Sequence, residues 1–189
     1  QSNLMSQHRF TRDLAYIIVI ALLVALSGQL FWNTHHTPAF YATPKVYYNK
    51  ETPFNQKIIQ IIHNADERIY FSVYTFTRYD IKDALLGAKH RGVSIIGVTD
   101  KNQIEAIPNQ EKIVQQLRDA GIPVYTQDHS YIMHTKVIVS EKEYASGSYN
   151  WTASATDKND EVLEVGTDEH TRREYERILK VLVDKYKTK

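Results

Sequence analysis

Cysteine is absent from this sequence of 189 residues. Disulfide bonds, cysteine-ligated zinc sites and cysteine nucleophiles are therefore excluded, although the absence leaves the redox compartment undecided. Internal repeats and low-complexity stretches are also missing. The hydrophobic fraction of 42% and the charged fraction of 24% are ordinary for a globular protein, and the length predicts one domain with an ample core.

The sequence also lacks an excess of charge of either sign. The formal net charge at pH 7 is +1. When Arg9, Arg12 and Asp13 are set apart with the N-terminal segment, 21 basic residues face 21 acidic residues from Asn33 onward. The composition therefore indicates no bulk attraction for nucleic acid, and such a ligand would need a local basic groove.

A long apolar run near the N-terminus is a candidate membrane segment. Residues 14–32 comprise 19 residues without a charge, close to the roughly 20 that a membrane-spanning helix requires. Arg9 and Arg12 precede the run, and the next basic residue is Lys45. The positive-inside rule then predicts a cytoplasmic N-terminus and a folded domain outside the cytoplasm, on the periplasmic side.

Two other interpretations of this run stay open. A cleaved signal peptide is one, because residues 25–27 resemble a cleavage site, and it would leave a secreted or periplasmic protein. A buried core helix is the other. Around the run we expect a vector-derived remnant and a cytoplasmic N-terminus in residues 1–13, a linker in residues 33–51 and a folded domain in residues 52–189.

Helical and strand patterns alternate through the folded domain. Thr52 and Asp80 are expected to cap the first two helices, and Gly92 to end the second. A central strand is predicted over residues 68–76, and its Tyr74 and Phe76 either line the site or, as we favour, belong to the core. Further patterns indicate strands at residues 93–98 and 122–125 and helices at about residues 109–120 and 170–186. The alternation predicts an α/β or α+β fold, a mixed sheet flanked by helices on both faces.

A hairpin pattern carries most of the polar residues of interest. Two short apolar runs flank a charged turn at Glu141. Because alternate residues of a strand share a face, His134 and Lys136 point the same way, as do Ser148 and Asn150. An imidazole, a fixed cation, a hydroxyl and an amide that converge on one spot suit a phosphate group.

The surroundings of this hairpin favour a functional interpretation over a polar edge strand. The apolar run at residues 137–139 indicates a buried strand, and such a strand rarely carries His and Lys on one face without a reason. Glu161 heads a later strand pattern, and its carboxylate could orient a nearby imidazole. His129, in the loop before the hairpin, is the only rival to His134, and loop histidines are mostly surface groups.

The motif resembles the HKD signature of the phospholipase D superfamily, and it is closest to small bacterial members with one motif per chain. The matching residues are His134, Lys136, Ser148, Asn150 and Glu161. The similarity covers roughly residues 45–187. Glu141 stands where the family usually has aspartate, at a position thought to support the fold rather than to react.

The resemblance implies a metal-independent phosphodiesterase that needs no cofactor. One histidine would attack phosphorus and give a phosphohistidine intermediate, while a second would protonate the leaving alcohol and then activate water. Lys136, Ser148 and Asn150 would hold the phosphoryl oxygens, and Glu161 would orient His134. Since the chain carries one motif, the resemblance implies a site shared by two chains in a homodimer.

The expected activity is that of a non-specific endonuclease on DNA or RNA. The first alternative is a phospholipase D that hydrolyses lipid head groups, which membrane attachment through residues 14–32 would allow. The second is a membrane-tethered nucleic-acid-binding protein without catalysis, and the complete set of motif residues argues against it. The sequence leaves open the preference among DNA, RNA and lipid, the endo or exo mode and the pathway.

Overall fold

The computed structural model describes residues 18–29, 43–127 and 129–187. The chain divides into two compact units, Gln1–Phe40 and Tyr41–Lys189. In the first unit, residues 18–29 form a helix, α1.

This helix lies inside the predicted membrane segment, residues 14–32. Across the described ranges, no helix combines the length and the apolar character needed to cross a membrane. Both ends of the segment and the remnant expected in residues 1–13 lie outside the described residues. The membrane anchor, the signal peptide and the resulting location therefore stay predictions.

The described part of the second unit contains seven strands and six helices. In chain order they are β1 (Lys45–Tyr48), α2 (Phe54–Asn64), β2 (Arg68–Val73), α3 (Tyr79–His90), β3 (Ser94–Thr99), α4 (Lys101–Ala106), α5 (Pro108–Asp119), β4 (Val124–Thr126), β5 (Lys136–Ser140), β6 (Tyr144–Gly147), α6 (Ala153–Asp157), β7 (Val162–Gly166) and α7 (Glu169–Lys187).

The strands form one sheet in the order β1-β7-β6-β5-β2-β3-β4. Strands β2, β3 and β4 are parallel, as expected for strands joined through helices, whereas β5, β6 and β7 form an antiparallel meander. Strand β5 joins the two halves because it pairs antiparallel with β2. The predicted hairpin is confirmed as β5–β6, and the mixed sheet is confirmed with it.

Helices cover both faces of the sheet. On one face, α2, α3 and α5 pack on Ile69, Phe71 and Val73, which alternate along β2. On the other face, α7 packs through Leu179 against β5 and β6, and Tyr70 of β2 joins that cluster. Alternate side chains of β2 therefore belong to two separate apolar clusters, one on each face of the sheet, as expected for a central strand between two helical layers.

Two predicted helix caps are wrong. Helix α2 begins at Phe54 with Pro53 as its N-cap, and no side chain caps it, so Thr52 lies one residue too early. Helix α3 begins at Tyr79, which places Asp80 inside the first turn. The Asp80 carboxylate instead accepts hydrogen bonds from Arg78 and from Asn55, 2.8 Å away. The backbone places Arg78 at the N-cap, so Asp80 lies inside the helix, where it also accepts a bond of 3.0 Å from the amide of Ile81.

Three elements were absent from the sequence prediction: strand β1, helix α4 and the five-residue helix α6. Residues 45–48, assigned to the linker, form edge strand β1, so the folded unit begins earlier than residue 52. The short helix α4 follows β3, and Asp100 caps it by accepting a bond of 3.0 Å from the backbone of Gln103. All three elements are too short to show a hydrophobic period in the sequence.

Candidate active site

The predicted site residues collect at one edge of the sheet. Strands β2, β3 and β6 end at this edge, and β5 and β7 begin there. Lys136 is the first residue of β5, and its partner Val73 is the last of β2. His134 lies two residues before β5, Ser148 directly follows β6, and Glu161 directly precedes β7. Strand pairing, rather than proximity in sequence, therefore assembles the site.

Lys136 is the buried cation of this edge. Its side chain is mostly covered, with the residue 8% exposed, and its Nζ donates a hydrogen bond of 2.9 Å to the backbone carbonyl oxygen of His134. Burial lowers the pKa of Lys136 below its ordinary value, and the nearby charge of Glu161 opposes that shift. A partly desolvated cation beside a carboxylate is typical of a functional site.

Tyr74 contacts both basic side chains of the motif. The centroids of the Tyr74 and His134 rings are 4.8 Å apart at an interplanar angle of 61°. The Nζ of Lys136 lies 5.4 Å from the centroid of the Tyr74 ring. Tyr74 therefore contacts the site residues, which was the alternative to a core role, whereas Phe76 is fully buried as predicted. The strand predicted to reach residue 76 ends at Val73, so Tyr74 lies just beyond β2.

Ser148 and Glu161 form a hydrogen-bonded pair. The Ser148 hydroxyl donates to Oε2 of Glu161, and it accepts a bond of 3.1 Å from the backbone amide of Val162. The second carboxylate oxygen of Glu161 accepts from Asn159 at 3.2 Å, and its backbone amide donates to Asn49 at 3.1 Å. The hydroxyl that was predicted to bind phosphate is thus engaged in holding the carboxylate.

Asn150 is tied to the end of β2. Its side-chain oxygen Oδ1 accepts a hydrogen bond of 3.2 Å from the backbone amide of Thr75. The backbone amide of Trp151 donates to the Thr75 carbonyl oxygen at 3.0 Å, which completes a short bridge between the two segments. Since Oδ1 is the engaged atom, the side-chain nitrogen Nδ2 is left as a donor for a phosphoryl oxygen.

Two aromatic residues anchor the loop that carries Ser148 and Asn150. Tyr149 and Trp151 are buried, 1% and 2% exposed, so alternate side chains of the loop enter the core. The Tyr149 ring packs edge-on against Phe54 at 5.4 Å. Burial raises the pKa of Tyr149 to about 12. The intervening polar residues are thereby held at the surface of the site.

No hydrogen bond joins Glu161 to the His134 imidazole within the described residues of one chain. The bonds of the carboxylate go to Ser148 and Asn159, and its charge acts on Lys136. Its predicted role in orienting His134 stays a prediction. His134 itself is exposed.

Glu141 lies at the opposite edge of the sheet, in the turn between β5 and β6. Its carboxylate accepts hydrogen bonds from the backbone amides of Asp66, at 2.8 Å, and Arg68, at 3.2 Å. Burial alone would raise the pKa of Glu141, but these backbone donors outweigh it and lower the pKa. The contacts are structural and distant from the site, in line with the supporting role that the resemblance implied.

Asn49 was missed by the sequence analysis because it lies in the expected linker. Its buried side chain donates to the backbone carbonyl oxygens of Ala155, Thr156 and Asn159 and accepts from the amide of Glu161. Asn49 therefore fixes the turn that delivers the carboxylate to the site. An asparagine in a polar stretch gives no local signal of such a role.

The remaining polar candidates have structural partners. The ring nitrogen Nε2 of His129 lies 3.1 Å from the hydroxyl of Tyr186, which connects the loop to α7. Arg91, from the basic cluster at the end of α3, donates to the carbonyl oxygens of Ile62 and Ala65. His129 is thus half-buried against α7 rather than a surface group, and Arg91 joins α3 to the end of α2.

Comparison with known proteins agrees with this geometry. The family model described as "Cardiolipin synthase, PLD-like domain" matches residues 58–183. A phospholipase D of Rickettsia prowazekii is 32% identical over 105 residues, which cover 55% of this chain and 50% of that protein. A mitochondrial cardiolipin hydrolase of Xenopus laevis is 26% identical over 137 residues, covering 72% of this chain and 63% of that protein.

Solved structures give the same result. Nuc from Salmonella typhimurium, described as a phospholipase D family member, superimposes with a TM-score of 0.70 at 26% identity and covers 76% of this chain and 95% of that chain. NucT from Helicobacter pylori superimposes with a TM-score of 0.67 at 21% identity, covering 76% of this chain and 97% of that chain, and supports the fold alone.

The fold and the motif edge therefore define a phospholipase D-like protein. The chain belongs to the family of PLD-like domains, whose enzymes hydrolyse phosphodiester bonds. It spans between half and two thirds of the length of the two curated relatives described above.

Proposed function

We propose that this protein is a metal-independent phosphodiesterase, a non-specific endonuclease that cleaves DNA, RNA or both through a phosphohistidine intermediate. The observation that carries the proposal is the grouping of an exposed imidazole with a buried ammonium. His134 and Lys136 both contact the Tyr74 ring, and Nζ of Lys136 is fixed to the His134 backbone at 2.9 Å. A nucleophile with an adjacent fixed cation suits attack on an anionic phosphodiester.

Each side chain has a role that follows from its chemistry. His134 attacks phosphorus, and the Lys136 ammonium balances the negative charge that spreads over the phosphoryl oxygens in the transition state. Asn150 donates from Nδ2, since its Oδ1 is occupied by Thr75. Ser148 holds Glu161 close to the cation. Acid–base assistance by a second imidazole adds roughly a hundredfold to ten-thousandfold to the rate.

A second copy of the chain supplies that second imidazole. One histidine cannot act on both sides of an in-line displacement, so two motifs must meet across a twofold axis. The surface beside Glu161 suits such a contact because it is apolar. Val162 is 53% exposed, its strand partner Tyr48 is 38% exposed, and Val46 on the same face is 69% exposed. These side chains lie on the meander half of the sheet, next to the site.

A cleavage panel tests the proposed activity. Wild-type protein and His134→Ala are incubated with plasmid DNA, single-stranded DNA, RNA and phosphatidylcholine, each with and without EDTA. We expect nucleic acid to be cleaved in both conditions by the wild type and in neither by the variant. Normal turnover by His134→Ala, or complete loss of wild-type activity in EDTA, would contradict the proposal.

Mixing the two proteins tests whether the site is shared. Equal amounts of wild type and His134→Ala are denatured and refolded together, so that chains combine at random. If both imidazoles are needed, roughly a quarter of the dimers are active, whereas independent sites would leave roughly half of the activity. Wild type refolded alone is the control for recovery, and a strict monomer that turns over would exclude the shared site.

Hydrolysis of phospholipid head groups is the second candidate. Tyr131 and Ile132, which lie just before the motif, are 78% and 56% exposed, and apolar side chains beside a phosphodiesterase site suit a lipid surface. The names of the relatives from Rickettsia prowazekii and Xenopus laevis point the same way. Release of a head group in the panel, with nucleic acid untouched, would favour this candidate.

The location of the protein is part of the proposal. Residues 14–32 anchor the chain in a membrane and place the folded domain outside the cytoplasm. Protease protection of intact cells and spheroplasts tests this topology.

Binding of nucleic acid without any cleavage by purified dimer would instead support a non-catalytic tethered protein.

A further inference from the structure

Tyr74 lies against the two side chains on which the proposed chemistry depends. Its ring centroid is 4.8 Å from the His134 ring, in an edge-on arrangement, and 5.4 Å from Nζ of Lys136. Aromatic rings prefer edge-to-face contacts, and a ring face attracts a cation through its quadrupole. One ring thus contacts both the reactive imidazole and the ammonium.

Tyr74 is itself held by two glutamines of the helical layer. Its hydroxyl accepts a hydrogen bond of 3.0 Å from Nε2 of Gln103 in α4. Its backbone carbonyl oxygen accepts a bond of 3.1 Å from Nε2 of Gln110 in α5. Gln110 is completely buried, and its Oε1 accepts from the amide of Phe76 at 2.9 Å. Both the ring and the backbone of Tyr74 are therefore fixed.

His134 needs such a support because the sheet does not provide one. It precedes the first residue of β5, so strand pairing does not hold its backbone, and its side chain is exposed. An exposed imidazole on an unpaired segment samples several rotamers, and only one of them aims a ring nitrogen at phosphorus. A ring packed against it selects that rotamer before substrate arrives.

We propose that Tyr74 is a positioning residue of the active site. Its ring orients the His134 imidazole and fixes the Lys136 ammonium relative to it, and Gln103 keeps the ring in place through the tyrosine hydroxyl. The inference rests on the proposed phosphodiesterase function, since it concerns the same site. Misplacement of a reacting group by about 1 Å costs up to about a hundredfold in rate.

The test compares Tyr74→Leu with Tyr74→Phe on the best nucleic-acid substrate of the panel. Tyr74→Leu removes the ring, and we expect kcat to fall about tenfold to a hundredfold while KM changes less than about threefold. Tyr74→Phe keeps the ring and loses the hydroxyl, so most of kcat should return. Equal loss in both variants, or a loss confined to KM, overturns the proposal.

Tyr70 of β2, four residues before Tyr74, supplies a matched control. Its ring lies 5.4 Å from Nζ of Lys180, the same distance as in the Tyr74–Lys136 pair, but it contacts α7 rather than the site. Tyr70→Leu therefore removes an equivalent ring and cation contact. If Tyr70→Leu lowers kcat as much as Tyr74→Leu does, the effect is one of general stability and positioning is refuted.

A spectroscopic measurement reports on His134 directly. The ring current of Tyr74 shifts the proton resonances of the His134 imidazole in NMR spectra, and this shift should persist in Tyr74→Phe and vanish in Tyr74→Leu. Gln103→Met removes the bond to the Tyr74 hydroxyl and also the bond of 2.9 Å that Gln103 accepts from Thr75, so its effect on kcat should overlap in part with that of Tyr74→Phe in a double mutant. Full additivity of the two changes would remove Gln103 from the proposal.

The activities of His134→Ala and Tyr74→Leu separate a wrong role for Tyr74 from a wrong function for the protein. If His134→Ala is inactive but Tyr74→Leu turns over normally, the phosphodiesterase assignment stands and Tyr74 has no positioning role. If His134→Ala is fully active, the assignment itself is wrong. Thermal melting of each variant confirms that the folded protein is being assayed.

Discussion

The Nζ of Lys136 donates a hydrogen bond of 2.9 Å to the backbone carbonyl oxygen of His134. The two residues are separated by one position, so the His-x-Lys spacing lets the lysine chain turn back onto the segment that carries the imidazole. The bond fixes the ammonium beside the histidine without a partner from another element. It also leaves two further N–H donors of the ammonium for a phosphoryl oxygen.

Replacing Lys136 with methionine should separate function from stability. Burial lowers the pKa of Lys136, which means that the folded state disfavours its charge. This cost is present at neutral pH and disappears as pH rises above the unfolded value of 10.5. We therefore expect Lys136→Met to abolish turnover and to melt at the same or a higher temperature at pH 7.

Thermal melting and the cleavage assay measure these two outcomes. Lys136→Arg is the companion variant, because it keeps the charge but not the compact ammonium. A clear loss of stability in Lys136→Met would show that the ammonium contributes more through its contacts than its burial costs.

The pair formed by Ser148 and Glu161 should behave as one unit. Ser148→Ala and Glu161→Ala remove the same hydrogen bond, so their effects on the free energy of unfolding should fall short of additivity by about 0.5–3 kcal/mol in the double variant. Urea denaturation of the four proteins measures the coupling. Asn150→Ala combined with Ser148→Ala serves as the comparison, and equal coupling there would argue against a specific pair.

Tyr149 should make the protein sensitive to alkali. Its pKa is raised by burial to about 12, whereas the unfolded value is 10.0, so its stabilising effect is complete below pH 10 and is lost as pH rises through 12. A difference of two pKa units corresponds to about 2.7 kcal/mol. Tyr149→Phe should therefore lose less stability than the wild type between pH 10 and 12.

Urea denaturation across this pH range measures the effect. Tyr131→Phe is the control, because Tyr131 is 78% exposed. At pH 7 the Tyr149→Phe variant should be slightly less stable, by about 1 kcal/mol, since it lacks the hydrogen bond of 2.7 Å to Thr156. An unchanged alkaline slope in Tyr149→Phe would show that other groups dominate.

Glu141 should matter for folding in acid rather than for catalysis. Backbone hydrogen bonds lower its pKa against the effect of burial, so its stabilisation is present above the ordinary value of 4.5 and is lost as pH falls through the folded value. Glu141→Gln should cost about 1.5–3 kcal/mol at pH 7, because two amide donors lose a charged acceptor.

The same variant should keep its kcat for the folded fraction, since Glu141 lies at the edge of the sheet opposite to the site. Urea denaturation at pH 7 and pH 3 should show that the difference from the wild type shrinks in acid. A reduced kcat of fully folded Glu141→Gln would mean that the turn between β5 and β6 affects the geometry of the site.

The sequence could predict the chemistry of the site better than its contacts. The types and spacing of His134, Lys136 and Asn150 indicated a phosphate site, and the structure brings all three to one edge. The partner of Ser148 was not predictable, because a serine hydroxyl can bond any nearby acceptor and the approach of Glu161 depends on the pairing of β6 with β7.

The errors at helix starts and in the expected linker have a related cause. Thr52 is a good capping residue by type, but the chain direction at Pro53 decides which residue takes that position. Asn49 has no distinctive neighbours in sequence and acquires its role only when strand β1 pairs with β7. Local propensities show which residues are able to cap a helix or support a turn. Long-range strand pairing decides which of these residues takes that role.

By itself the sequence determined the apolar periods of the main strands and helices, the set of residues able to act on a phosphodiester, and the presence of one such set per chain. Only the tertiary structure decided the strand order, the edge at which those residues meet, and the contacts of the Tyr74 ring with His134 and Lys136. The physical reason is one of range. Periodicity and side-chain chemistry are properties of neighbouring residues, whereas the order of strands and the partners of polar atoms follow from contacts between distant segments, whose free energy depends on the whole packed fold.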